Sequence, residues 1–223
     1  MNLVGLGCSL TEHSNWFWHL SKITKWPGTN LGVSSSSNLL QVNRFHDAVL
    51  NKKLNSDSLI IWQITGIDRQ TKRLTDVNNN IKTPFKRHYI NSEPNIFDNK
   101  MRYDLLSHSP LISKKDSLNN CGLQDLQTTL ATILMASKTY PLLVFVGWKD
   151  ALTDSTGKNY LSELFSFFDK HSIHYIDDCY VEWTRNNNLP FWEDGWHPSE
   201  QAGIAFAENI LHPAVRAKLL IQD

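Results

Sequence analysis

Apolar and polar positions along this chain follow two periods that alternate. Short strand-like segments, mostly apolar and bounded by small or polar residues, lie at 2–7, 29–33, 58–65, 142–146 and 173–176. Between them, apolar residues recur every three or four positions, the spacing of one face of an amphipathic helix. The segment 58–65 (SLIIWQIT) is apolar on both faces, which indicates a central parallel strand covered from both sides.

The helical spacing places helices between successive strands. It is found at 16–23, 39–49, 123–134, 161–168 and from Ser199 onward. Alternation of strand and helix predicts a parallel sheet with helices on both faces. We therefore expect one domain over residues 1–223, a three-layer α/β/α sandwich with a five-stranded parallel sheet, and an active site at the carboxyl ends of the strands.

One segment, at about 70–116, breaks this pattern. It is polar and asparagine-rich, and it carries nine Lys or Arg against five Asp or Glu. A segment of this length inside a compact domain indicates a functional insertion, such as a lid or mobile arm, or else a partly helical decoration of the surface. Its basic excess is a hint of an anionic substrate or partner.

Composition narrows the class of protein. Lys plus Arg and Asp plus Glu are 22 each. The chain therefore lacks the basic excess that is typical of a general nucleic-acid binder. The three cysteines form no CxxC pair, which predicts a reducing compartment rather than a disulfide framework. The amino terminus lacks a basic region and no segment has the ~20 apolar residues of a membrane span, so we expect a cytoplasmic protein.

The segment 178–198, rich in tryptophan and asparagine, carries the candidate chemistry at its end. Asp194 lies three residues before His197, just ahead of the last helix. Such a pair fits the orienting half of a nucleophilic triad, a pair of metal ligands or a capped loop. The fold prediction brings Ser9, which follows the first strand, to the same edge of the sheet. Since no HxH or HExxH spacing is present, we expect neither a metal nor another cofactor.

Three blocks of the sequence resemble the SGNH hydrolase superfamily, also called GDSL-like lipases and esterases. They are residues 7–11 (GCSLT) after the first strand, 30–35 (NLGVSS) after the second, and 194–198 (DGWHP) before the last helix. They occur in the family's order and on the matching elements. The resemblance implies a flavodoxin-like SGNH fold and a triad with Ser9 as nucleophile, His197 as general base and Asp194 as its orienting partner.

Two positions depart from the family pattern at the oxyanion hole. Ser35 stands where the family has a glycine whose backbone N–H donates, and Asp68 stands where it has an asparagine. An ionised Asp68 accepts hydrogen bonds but cannot donate one. The replacement donor is then expected from the side chains of Asn38, Arg69, Gln63 or Thr65, or else from the backbone N–H groups of Ser9 and Ser35 alone.

The resemblance implies a reaction class, and nearby residues favour a substrate. Trp192 and Trp196 flank the candidate loop and asparagines occupy 186–188, which favours an acyl ester, foremost an acetyl ester, of a carbohydrate-like molecule. We expect a serine esterase that acts through an acyl-enzyme on a small-molecule or glycan ester. The alternatives are an O-acetyltransferase that uses the same triad and a catalytically weak SGNH-fold binding or assembly protein. The oligomeric state stays open.

Overall fold

A parallel sheet at the centre of the chain carries the fold. In this computed structural model the described residues are 1–13, 15–34, 36–67, 69–74, 83–89, 114–154 and 156–220, with the backbone alone for 69–74, 83–89, 114–121 and 218–220. The strands of the sheet are β1 (Asn2–Leu6), β2 (Gly28–Asn30), β3 (Ser58–Ile64) and β6 (Leu142–Val146). They are all parallel and lie in the order β2-β1-β3-β6.

Helices connect the strands and cover the sheet. Their bounds are α1 (Ser9–Glu12), α2 (Trp16–Thr24), α3 (Asn38–Leu50), α4 (Lys114–Ala136), α5 (Leu161–Lys170), α6 (Tyr180–Asn186), α7 (Glu200–Phe206) and α8 (His212–Leu220). A 3₁₀ turn spans Asp150–Leu152, and a π-helical turn, Ala207–Leu211, joins α7 to α8.

The sheet separates two hydrophobic clusters, as the sandwich prediction requires. Along β3 the side chains alternate, so that Ile60 and Trp62 join one cluster while Leu59 and Ile61 join the other. The first cluster is completed by apolar residues of α3, α4 and α5, and the second by those of α2, α6 and α7. The predicted three-layer α/β/α sandwich is therefore confirmed, with every residue of β3 buried.

The strand count and one loop differ from the prediction. The sheet has four strands rather than five, because the segment at 173–176 pairs with β6 only through a single parallel bridge between Val144 and Tyr175. The predicted loop at 178–198 contains the helix α6. Its residues Tyr180, Val181 and Trp183 are buried in the second cluster, so packing holds a helix where the local sequence does not favour one.

Part of the predicted insertion at 70–116 is described as backbone. The strands β4 (Arg69–Leu74) and β5 (Thr83–Tyr89) form a two-stranded antiparallel sheet. Residues 75–82 and 90–113 lie outside the described residues, so the lid prediction for this segment stays a prediction. Within the described part of the chain, no helix combines the length and apolar character required to cross a membrane.

Candidate active site

The turn after β1 places Ser9 at the start of a short helix. Cys8 occupies the N-cap position of α1 in an extended conformation, and its carbonyl oxygen accepts hydrogen bonds from the backbone N–H groups of Thr11 and Glu12, both at 2.9 Å. Gly7 is required by close packing, since a Cβ at this position would overlap the Thr11 hydroxyl. Ser9 is thereby held at the carboxyl edge of the sheet.

A buried glutamine braces this turn from the neighbouring strand. The Gln63 Oε1 atom accepts hydrogen bonds from the Thr11 hydroxyl at 2.7 Å and from the Cys8 backbone N–H at 3.2 Å. Its amide Nε2 lies 3.1 Å from the Cys8 Sγ atom, and the side chain is fully buried. Gln63 therefore positions the turn that carries Ser9, and its fully buried amide is directed at Cys8, which differs from its predicted role as an oxyanion donor.

Asn38 has a similar structural role. Its Nδ2 donates to the Thr65 carbonyl and its Oδ1 accepts from the Thr65 backbone N–H, each at 3.0 Å. These two hydrogen bonds join the start of α3 to the end of β3, and Asn38 is fully buried. The Asn38 amide is thus directed at the backbone of Thr65 rather than at the site. This differs from the predicted role of Asn38 as an oxyanion donor. Thr65 is likewise buried.

The segment before α7 brings an imidazole to Ser9. The His197 Nε2 atom lies 2.9 Å from the Ser9 Oγ atom, across 188 positions of sequence. The His197 Nδ1 atom lies 2.6 Å from Asp194 Oδ2. The other carboxylate oxygen, Oδ1, accepts the backbone N–H groups of Trp196 at 2.8 Å and His197 at 3.0 Å. Ser9, His197 and Asp194 form one continuous hydrogen-bond chain.

The loop that carries Asp194 and His197 is closed by its own backbone. Trp192 N–H donates to the His197 carbonyl at 2.8 Å, and a bridge pairs Phe191 with Pro198. Gly195 has φ +68°, a left-handed conformation that glycine adopts without strain. The Ser199 hydroxyl accepts the Ala202 backbone N–H and so caps α7. Short local contacts of this kind hold the loop that carries the imidazole.

Local hydrogen bonds keep Asp194 ionised. Burial works to raise the pKa of Asp194, but the backbone N–H groups of His197 and Trp196 and the His197 side chain together lower it below its ordinary value. The side chain of His197 is 36% exposed and that of Asp194 is 47% exposed. Water therefore reaches the imidazole, and solvent screens the electrostatic part of the contact between the two side chains.

Two exposed tryptophans lie on the same loop as His197, and a third packs against its ring. Trp192 and Trp196 are 52% and 66% exposed, and they flank His197 on the same loop. Trp148 packs edge to face against the His197 ring, with 6.4 Å between centroids. The sequence reasoning missed Trp148, although its place shortly after β6 puts it at the same edge as Ser9. Exposed aromatic surface of this extent beside polar groups is typical of a ligand-binding site.

The remaining predicted site residues are only partly described. Ser35 and Asp68 lie outside the described residues, and Arg69 is described as the first backbone position of β4. Their predicted oxyanion roles therefore stay predictions. Among the residues whose side chains are described, no group of three or more His, Cys, Asp or Glu could hold a metal ion.

Comparison with known proteins identifies the fold. No family model and no curated protein matches this chain. A candidate SGNH hydrolase from Slackia heliotrinireducens matches with a TM-score of 0.55 and 13% identity, over 96% of this chain and 98% of that one. A member of the lipolytic G-D-S-L family from Veillonella parvula DSM 2008 matches with a TM-score of 0.52 and 14% identity, over 95% and 98%.

An esterase is among the similar structures. The psychrotrophic esterase EstA from Pseudoalteromonas sp., in a structure inhibited by monoethylphosphonate, matches with a TM-score of 0.51 and 13% identity, over 98% of each chain. The chain therefore has the fold of the SGNH hydrolases, which confirms the resemblance at the level of fold. Similarity at identities this low establishes the fold, and the activity has to be argued from the residues of the site.

Proposed function

We propose that this chain is a serine ester hydrolase with Ser9 as nucleophile, His197 as general base and Asp194 as its orienting partner. The observation that carries the proposal is the hydrogen-bond chain from Ser9 Oγ to His197 Nε2 at 2.9 Å and from His197 Nδ1 to Asp194 Oδ2 at 2.6 Å. This is the arrangement in which an imidazole with a fixed tautomer removes a proton from a hydroxyl.

The proposed reaction has two steps, acylation of Ser9 and hydrolysis of the acyl-enzyme. The Ser9 Oγ atom attacks the ester carbonyl while its proton moves to His197 Nε2, and the imidazolium is stabilised by the Asp194 carboxylate. Collapse of the tetrahedral intermediate breaks the bond to the alcohol, which takes the proton from His197. Water then attacks the acyl-enzyme, again with His197 as base, and releases the acid and free Ser9.

Backbone N–H groups are the proposed oxyanion donors. Ser9 is the first residue of α1, where a backbone N–H has no acceptor within the helix. The second proposed donor is the N–H of Ser35. Each well-placed donor contributes about 10²–10³ in rate, so a hole of two backbone donors supports useful catalysis without the family's asparagine.

The proposed substrate is an acyl ester, foremost an acetyl ester, on a carbohydrate-like molecule. Trp192 and Trp196 are exposed indoles on the same loop as His197, and a sugar ring can stack on surfaces of this kind. The 36% exposure of His197 leaves a route for water, which favours hydrolysis over transfer to a second sugar. The similarity to EstA, an esterase inhibited by a phosphonate, supports a serine nucleophile.

Turnover of simple and sugar acetates tests the proposal. We expect the purified protein to release p-nitrophenol from p-nitrophenyl acetate and acetate from acetylated xylose oligomers, and the Ser9→Ala variant to lose at least 10²-fold in kcat, about the contribution of a positioned nucleophile and base. Acetate release that is replaced by transfer to added sugar acceptors identifies a transferase. Equal turnover by both proteins would contradict the role of Ser9 as nucleophile, and turnover no faster than the uncatalysed reaction would favour a binding role.

A further inference from the structure

The imidazole of His197 contacts a tryptophan from a different part of the fold. Trp148 follows shortly after β6, is half-buried, and packs against the second hydrophobic cluster. Its ring meets the ring of His197 with 6.4 Å between centroids and an interplanar angle of 79°. Edge-to-face contacts of this geometry between aromatic rings are attractive. Trp148 therefore links the histidine to the body of the sheet.

Backbone hydrogen bonds fix the chain on both sides of Trp148. On one side, the Gly147 N–H donates to the Ile64 carbonyl at the end of β3, at 3.0 Å. On the other side, the Lys149 N–H donates to Glu182 Oε2 in α6, at 3.1 Å. The backbone from which the indole projects is thus anchored to a strand and to a helix.

The segment before Trp148 also packs against the side chain that braces the nucleophile turn. The amide of Gln63 closely approaches both Gly7 and Gly147. An added Cβ at Gly7 would overlap its Oε1 atom, and an added Cβ at Gly147 would overlap its Nε2 atom. The turn that carries Ser9 and the segment that carries Trp148 therefore contact the same buried amide, which sets the position of the indole relative to the nucleophile.

One of the two hydrogen bonds that orient the His197 ring is lost during the proposed reaction. Before reaction, Ser9 Oγ lies 2.9 Å from Nε2 and Asp194 Oδ2 lies 2.6 Å from Nδ1. Once Ser9 is acylated, its oxygen has no proton to donate to Nε2. Asp194 belongs to the same exposed loop as His197, so its hydrogen bond fixes the ring relative to the loop rather than to the sheet. In the acyl-enzyme, the contact with Trp148 still ties the ring to the sheet.

We propose that Trp148 is a positioning residue for hydrolysis of the acyl-enzyme, an inference that rests on the ester hydrolase function proposed above. The edge-to-face contact holds the imidazole where its Nε2 atom faces the water that attacks the ester of Ser9. Acylation depends less on Trp148, because the hydrogen bond from Ser9 orients the ring in that step. Since displacement of a reacting group by about 1 Å can cost about 10²-fold in rate, loss of the contact should be measurable.

Substitutions of Trp148 separate the two steps on p-nitrophenyl acetate. Trp148→Leu removes the ring, whereas Trp148→Phe keeps an aromatic partner for His197. Mass spectrometry of acid-quenched samples follows the acetyl group on Ser9 and its rate of loss. We expect W148L to lose acetyl at least about 10-fold more slowly than the parent, and W148F to retain at least about a third of the parent rate.

The kinetic constants should show the same separation. When hydrolysis of the acyl-enzyme slows, kcat and KM fall together and p-nitrophenol appears in a burst. We therefore expect kcat/KM of W148L, which reports acylation, to stay within about 3-fold of the parent value. The rate of labelling by a fluorophosphonate, which uses the first step alone, should also stay within about 3-fold.

Controls distinguish a positioning role from general damage. Trp148→Met serves as a second variant without the ring, and circular dichroism at the assay temperature identifies the folded variants. Trp18→Leu is the matched control, because Trp18 is an exposed tryptophan in an edge-to-face pair with Phe17, with 5.0 Å between centroids. This surface substitution should change the rate of acetyl loss by less than about 2-fold.

The possible results separate this inference from the proposed function. Acetyl loss at the parent rate in the variants without the ring overturns the inference alone. Equal losses in W148L and W148F, equal losses in W148L and Trp18→Leu, or a fall in fluorophosphonate labelling as large as the fall in acetyl loss also overturn it alone. A parent protein without Ser9-dependent turnover overturns both the inference and the proposed function.

Discussion

At the scale of single residues, the two oxygens of Asp194 have separate tasks. Oδ1 accepts the backbone N–H groups of Trp196 and His197 and so shapes the loop, while Oδ2 faces the imidazole. An asparagine at this position keeps an oxygen that accepts the two backbone N–H groups, but it loses the carboxylate oxygen that faces the imidazole. The substitution therefore separates the orientation of His197 from the folding of its loop.

We predict that Asp194→Asn lowers kcat about 10²- to 10⁴-fold with little change in KM. The amide offers no charge to stabilise the imidazolium, and its N–H₂ group favours the wrong tautomer of His197. Steady-state kinetics on p-nitrophenyl acetate measure the loss, and a melting temperature close to that of the parent shows that the loop is intact. A loss below about 3-fold would mean that Asp194 does not orient a catalytic base.

At the scale of elements, the sequence predicts the sheet and the order of the helices. It fails for a helix that forms because of tertiary packing. The central strand is recognisable because 58–65 is apolar on both faces, and the helix after Ser199 because its cap and spacing are local. Helix α6 is not recognisable, since tyrosine, valine and tryptophan are weak helix formers, and Tyr180 and Trp183 are held by packing against Phe145 and Phe206.

The same scale explains the errors at the candidate site. Ser9, His197 and Asp194 are predictable because each adjoins a recognisable strand or helix. The roles of Gln63 and Asn38 depend on which atoms face them in three dimensions, and a spacing pattern does not contain that information.

We predict that Gly122→Ala destabilises the fold, although alanine favours helix by about 1 kcal/mol. Gly122 lies in α4 against the backbone carbonyl of Ile67, and an added Cβ would overlap that oxygen. The Ile67 N–H donates to the Ala151 carbonyl at 2.9 Å, so the loop cannot easily retreat. Since overpacking costs about 1–3 kcal/mol, the free energy of unfolding should fall by up to about 2 kcal/mol in urea denaturation.

A control on the same helix makes this result interpretable. Gln127→Ala changes an exposed residue of α4 and should alter the free energy of unfolding by less than about 0.5 kcal/mol. An increase in stability for Gly122→Ala would contradict the close approach of α4 to the Ile67 carbonyl.

At the scale of the whole molecule, the sheet order places the site. β1 lies between β2 and β3. The helix that follows β1 therefore covers one face of the sheet, and the helix that follows β3 covers the other. Ligands of open α/β sheets bind at such a switch point, at the carboxyl ends of the strands. Ser9 follows β1 there, and the loop before α7 reaches the same edge. The fold thus brings together residues that are distant in sequence.

Acid stability of the whole chain should depend on Asp154. Hydrogen bonds from the Thr156 hydroxyl first, and from Tyr160, lower the pKa of Asp154 to about 2. A carboxylate whose folded pKa lies below its ordinary value of about 4 stabilises the fold above that value and loses this effect as pH falls through the folded pKa. We predict that the melting temperature of the parent exceeds that of Asp154→Asn above about pH 4, and that the difference shrinks from pH 4 to 2. A difference that is constant over this range would contradict the assignment.

The most direct test of the central claim is covalent labelling of Ser9. The parent protein, Ser9→Ala and His197→Ala are treated with a fluorophosphonate, and the modified peptide is located by mass spectrometry. If Ser9 and His197 work as nucleophile and base, the parent carries one adduct on Ser9, Ser9→Ala carries none, and His197→Ala reacts at least about 10²-fold more slowly. An unlabelled Ser9 in the folded parent, or labelling of His197→Ala at the parent rate, would contradict the account.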